Sequence, residues 1–156
     1  MSYGVAATEA RFVLPTGELI GGKLQIRSDS RGSGHFLARR SGGRRKHLGV
    51  DLAAPMGSPV IAGRSGWARS IVKEDGYGKY VEIHHMDGYW TRYAHLDSLS
   101  LPEIAWVHQG DLIGTVGNTG NASHPQMIPH LHFEVRLNER ILNPEKGILQ
   151  GLEAYE

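Results

Sequence analysis

At 156 residues the chain is the size of one domain, long enough to fold around one core without disulfides or a structural metal. Seventeen Lys and Arg against sixteen Asp and Glu leave a formal charge of +1. With 40% hydrophobic residues, that balance excludes a disordered chain and a generic nucleic-acid binder. The lack of Cys removes thiol catalysis, Cys-ligated zinc and iron–sulfur chemistry, and leaves nine histidines as the unusual feature.

Met1 to Pro15 has neither the basic start nor the apolar stretch of a secretory signal, and no apolar run reaches the ~20 residues that span a bilayer. The expectation is a soluble domain, a monomer with no membrane span. Glycines punctuate the whole chain and helical periodicity is hard to find, so the reading is mostly β. Strands are expected at Lys23–Arg27, Val60–Ala62, Trp67–Val72, Lys79–His84, Tyr89–Ala94, Asp111–Val116 and His130–Leu137, with turns at Asp75-Gly76, Asp87-Gly88 and Asn118-Thr119-Gly120. Ile83 to Trp90 reads as one hairpin turning near Met86-Asp87-Gly88, and Ser98 to Ala105 as a helical turn. Short strands at this spacing suggest a sandwich or layered antiparallel sheets. The basic run Arg39, Arg40, Arg44, Arg45 and Lys46 reads first as a solvated loop and alternatively as an anion-attracting rim beside an active site.

Three segments concentrate the chemistry: His47-Leu48-Gly49-Val50-Asp51, Tyr93-Ala94-His95-Leu96 and His130-Leu131-His132-Phe133-Glu134. On a strand His130 and His132 share a face, about 7 Å apart, while Leu131 and Phe133 point into the apolar layer. One can ligate a metal and the other stand beside it. His47 and Asp51 can reach one ion only if the chain turns between them. Gly49 is expected to free that turn, and Gly42-Gly43 to let the segment approach closely. Two imidazole nitrogens and a carboxylate oxygen form a zinc set with an open fourth position, the arrangement of a catalytic site. Adjacent His84 and His85 face opposite sides of a strand, and His35, His108 and His124 sit in loop-like sequence, so these five are placed outside the site. Glu134 can share the site face and is a minor candidate for a base.

In order along the chain, His47-Leu-Gly-Val-Asp51-Leu-Ala-Ala-Pro55, Tyr93-Ala-His95-Leu96, Gly114-Thr-Val-Gly117-Asn-Thr-Gly120 and His130-Leu-His132-Phe-Glu-Val-Arg136 resemble the motifs of the M23 (lysostaphin/LytM-like) zinc metallopeptidases. Arg136 to Pro144 looks like that family's closing turn. The resemblance covers Leu19 to Ile148 and implies a LytM/M23-type β fold of layered antiparallel sheets (duplicated hybrid motif) with short helical turns. It also implies an N-terminal extension at 1–18, a peptidase domain at 19–148 and a C-terminal tail at 149–156. Carried over by motif, the zinc ligands fall on His47, Asp51 and His132, one Zn2+ per chain, and the catalytic histidines on His95 and His130. The implied activity is hydrolysis of peptidoglycan peptides in the periplasm or outside the cell. The loop from Gly120 to His130 is longer than the compact type common in the family, which bears on substrate preference. Little chain precedes the domain, so an unmasked catalytic unit is expected.

Two rivals belong to other classes. A non-catalytic M23-like module that binds the wall or activates another hydrolase would typically lack some ligands, and all five positions are filled here. A carrier domain is suggested by Val107 to Val116, but no Lys sits in a modification-type turn, and the histidine set would go unexplained.

Overall fold

The computed structural model describes residues 11–43, 45–146 and 149. The parts of the expected extension and tail at 1–10 and 150–156, the domain end at 147–148, and Arg44 of the basic run lie outside the described residues. Among the described residues the fold is mostly β, with every strand pairing antiparallel. Short pairs come first: β1 (Leu19–Ile20) with β2 (Lys23–Leu24), β3 (Ser28–Asp29) with β4 (Gly32–Ser33), and β5 (Arg39–Arg40) with β6 (Arg45–Lys46). The remaining strands are β7 (Val50–Ala53), β8 (Pro59–Ile61), β9 (Gly66–Val72), β10 (Lys79–His84), β11 (Tyr89–Leu99), β12 (Ile104–Val107), β13 (Leu112–Val116), β14 (His130–Leu137) and β15 (Arg140–Leu142). They form one nine-stranded sheet. Among the described residues two short 3₁₀ turns, Ser41–Gly43 and Gly120–Ala122, are the helical elements.

The long strand β11 explains the layering. One edge pairs with β10; along the other, Tyr89–Ala94 pair with β14 and Leu96–Leu99 with β13. Splitting the partners in this way folds the sheet over a core that includes Val50, Leu52, Val81, Ile83, Tyr93, Ile113, Leu131, Phe133 and Val135. Truncating Leu131, fully buried on β14, should cost roughly 2–5 kcal/mol of stability. Phe12 and Leu149 pack into this same core from beyond the expected domain limits.

β10 and β14 run as expected, and the β10–β11 hairpin turns at Met86-Asp87-Gly88. The expected helical turn at Ser98 to Ala105 is corrected. β11 continues to Leu99, and Ile104–Val107 form an edge strand on Gly66–Arg69, a distant pairing that overrides local preference. The expected strand Lys23–Arg27 shortens to β2 and an isolated bridge from Ile26 to Leu52.

Candidate metal centre and its groove

β14 is buried on both faces. Leu131, Phe133 and Val135 enter the core, while His130, His132 and Glu134 face the opposite way and line a groove of about 750 Å3. β7 lies beside it with Asp51 paired to His132 and Ala53 to His130. On the other flank Ala94 of β11 pairs with His132, which puts His95 one residue away. His95 sits in an irregularity of β11, where its φ of 65° turns the ring towards the groove side.

His47 arrives just before β7. The glycines exchange the roles expected of them. Gly42 and Gly43 adopt φ of 68° and 93° and turn the β5–β6 hairpin. Gly49 needs no unusual φ; it passes so close to β14 that a Cβ there would meet Glu134 Cγ at 2.8 Å and His132 Cε1 at 3.1 Å.

His47 Nε2, Asp51 Oδ1 and His132 Nδ1 form a triangle with each edge 3.0 Å. His47 Nδ1 donates to the His35 carbonyl at 2.9 Å, and His132 Nε2 donates to Glu134 Oε2 at 2.7 Å. Once His132 gives up its second proton, the two opposing nitrogens present lone pairs to each other and to a carboxylate oxygen. Three acceptors converging in a buried site repel unless a cation lies among them. Donors about 2.0–2.1 Å from a tetrahedral zinc stand roughly 3.3 Å apart, so the triangle fits such an ion after a slight expansion. The residues present fit a metal, and among the described residues this trio is the group able to hold one.

The surroundings fix the donors' charge states. Burial opposes ionisation of Asp51, but hydrogen bonds from His132 and His47 hold its carboxyl well below the usual range. Its second oxygen, Oδ2, accepts from Arg27 Nε at 2.9 Å, leaving Oδ1 for the triangle. Burial also disfavours a charged His132. The hydrogen bonds to Asp51 and Glu134 outweigh it, and the ring is raised to about 9 in the metal-free protein. Glu134 is lowered to about 2 against its burial by His132 and Tyr77, whose hydroxyl donates at 2.7 Å. Burial and that carboxylate push the Tyr77 phenol up to about 12, so it remains a donor.

His95 and His130 differ from the trio. Each donates Nδ1–H to a backbone carbonyl, Thr119 at 2.8 Å and Ile128 at 2.7 Å, leaving Nε2 as an acceptor. Burial, reinforced by His132 and His130, lowers His95 to about 3; burial likewise lowers His130. The structure thus brings all five expected site residues to one groove, three converging on a point and two flanking it as neutral rings. Glu134 shares the site face, but it serves as the hydrogen-bond acceptor of His132. Arg27 and Tyr77 escape the sequence reading. Tyr77, an aromatic between Gly76 and Gly78, carried a faint signal, whereas the contact of Arg27 with Asp51 spans 24 residues and left none. His84, His85, His108 and His124 do not line the groove; His35 contributes only its carbonyl.

The family model of peptidase family M23 matches residues 45–144. The chain belongs to peptidase family M23. This M23 chain is 43% identical over 100 residues to the DD-carboxypeptidase/endopeptidase Mpg of Neisseria meningitidis, an alignment covering 64% of the chain and 22% of that protein. It is 36% identical over 120 residues to the peptidoglycan DD-endopeptidase ShyC of Vibrio cholerae, covering 72% and 26%. A zinc-containing peptidase from Vibrio cholerae superposes with a TM-score of 0.68 at 30% identity, covering 89% of the chain and 40% of that structure. The chain spans about a quarter of the length of these two curated relatives. M23 membership accounts for the β architecture and for the metal-fitting trio. Among the described residues no helix is long and apolar enough to cross a membrane.

Proposed function

We propose that this chain is the catalytic part of a zinc-dependent endopeptidase that hydrolyses peptide bonds in bacterial peptidoglycan, in the periplasm or outside the cell, with the peptidase domain at 19–148. The observation that carries this reading is the meeting of three lone-pair donors, on His47, Asp51 and His132, beside two neutral acceptor imidazoles in one open groove. Zinc bound by the trio supplies a Lewis acid and lowers the pKa of a water to near neutrality.

The chain's own side chains do the rest. Arg27 and Glu134 orient the ligands, Arg27 by holding Asp51 Oδ2 and Glu134 by fixing the His132 tautomer. His95 and His130 present Nε2 as acceptors, so either can take the proton of the attacking water. The ring that takes it becomes an imidazolium, which donates to the oxygen that gains charge on the carbonyl carbon. It then returns the proton to the departing amine as the C–N bond breaks. The site offers no pair of free carboxylates flanking a cleft, since Asp51 and Glu134 are both engaged, and this disfavours glycan cleavage. The DD specificity of both relatives, one of them a peptidoglycan DD-endopeptidase, supports a D-alanyl cross-link over a Gly–Gly bridge as the bond cut.

Mass spectrometry of purified sacculi treated with the zinc-loaded protein tests this reading. Shorter or un-cross-linked peptides on intact glycan strands are expected. New reducing sugar ends alone, or no release with zinc fully bound, would overturn it.

A further inference from the structure

The groove has a charge that its chemistry does not require. Six cationic side chains line it, from Arg27, Arg31, Arg39, Arg40, Arg45 and Lys46, against two carboxylates, Asp51 and Glu134. The rest of the chain holds more acidic than basic residues, so the formal charge of +1 conceals a strongly positive groove in a mildly negative molecule. Four of the six stand on the β5–β6 hairpin, which forms one wall.

Arg40, on that hairpin, stands beside the metal trio, second to Arg27 in its approach to Asp51. Its guanidinium is half-buried, with Nη2 donating to the Ser33 carbonyl at 2.8 Å and Nη1 to the Arg39 carbonyl at 3.3 Å. Nη2 lies 4.0 Å from Asp51 Oδ2, beyond a hydrogen bond, and that oxygen is already satisfied by Arg27 at 2.9 Å. Arg40 is therefore not needed to neutralise Asp51. A guanidinium has five N–H donors, and two carbonyls leave several to face the groove. Burial disfavours the Arg40 charge, and the attraction of Asp51 only partly offsets it.

Resting on the peptidase reading above, we infer that Arg40 binds a substrate carboxylate on the residue adjacent to the scissile bond. The remaining cations of the hairpin draw the anionic peptide in. Arg40 Nη2 stands 4.0 Å from Asp51 Oδ2, so an anion bound there shares the groove with the metal trio. The substrate class is then a peptide whose departing amine stands on a carbon bearing a free carboxylate. A carboxy-terminal amino acid and a diamino acid joined through its second amine both meet this description. A glycine bridge in mid-chain does not. Arg suits the role better than Lys because its planar fork matches a carboxylate in two places. Arg40 acts on binding and leaves the metal ligands as they are.

The test uses two synthetic peptides ending in D-alanyl-D-alanine, one with a free terminal carboxylate and one with a terminal carboxamide, and the zinc-loaded chain. The wild type should cleave the carboxylate peptide with a kcat/KM roughly tenfold to a hundredfold higher, the effect of one charge-assisted hydrogen bond. In Arg40→Gln the preference should collapse, mostly through KM, with zinc content unchanged; Arg40→Lys should restore part of it. Equal cleavage of both peptides by the wild type would overturn the inference and leave the peptidase reading intact. If neither peptide were cleaved, the peptidase reading would fail for this bond. Calorimetric binding of the two peptides would then still decide the inference: tighter binding of the carboxylate form, lost in Arg40→Gln, supports it, and equal binding overturns it. Zinc loss in both Arg40 variants would also overturn it, by making Arg40 a support of the metal ligands.

Discussion

His132 and His130 stand two residues apart on β14 and face one groove, yet their surroundings drive their protons in opposite directions. His132 is gripped at both nitrogens by carboxylates, Asp51 and Glu134, and is raised to about 9. His130 meets a carbonyl at Nδ1 and only a distant carboxylate, 3.7 Å from Nε2, and burial lowers it. His95 on the far flank behaves as His130 does. The contrast separates two regions of the site, a cluster that attracts a cation and a flank that stays neutral. Identical side chains acquire different work from their hydrogen-bond partners.

The largest effect should come from removing a corner of the cluster. His47→Ala or Asp51→Ala takes away one of three donors, so metal and hydrolysis should be lost together, by more than the tenfold to hundredfold typical of losing an outer partner. Elemental analysis after dialysis checks this, and full metal retention in the Asp51 variant would remove that residue from the set. On the flank, His95→Ala should keep its metal and lose on the order of a hundredfold or more in turnover. A near-normal rate would exclude His95 from the mechanism.

A smaller effect is expected one layer out. Glu134→Gln should weaken zinc binding by roughly ten- to hundredfold, read by competition with a chelator, because the His132 tautomer loses its charged partner. Unchanged affinity would leave Glu134 as a fold residue only. The smallest effect is in proton balance. The folded pKa of His132, about 9, exceeds its ordinary 6.5, so in the metal-free protein its stabilising contribution is complete below pH 6.5 and is lost as pH rises through 9. At pH 7 the ring must shed that proton to ligate. Zinc uptake should therefore release about one proton, and affinity should climb with pH up to about 9. Titration calorimetry in buffers of different ionisation enthalpy measures this, and no release at pH 7 would contradict the charge state of the cluster.

The chemistry of β14 was legible because it depends on alternation alone: Leu131 and Phe133 inward, His130 and His132 outward. The pairing of Asp51 with His132 was not, because strand register is a long-range property. The segment at Asp51 reads as a turn, whereas the chain turns before Val50 and carries Asp51 on β7. The positive φ of His95 was equally hidden, since it arises where β11 slips register between its neighbours. Arg27 holds the ligand Asp51, and Tyr77 holds Glu134 behind His132, through contacts that span 24 and 57 residues, which no local pattern encodes.

The most direct measurement of the division between cluster and flank compares His130→Ala with His132→Ala, assayed side by side for bound zinc and for peptide release from sacculi. The His132 variant should lose zinc, while the His130 variant should keep a full equivalent and still fail to cleave. Zinc retained in both, or lost from both, would contradict that division.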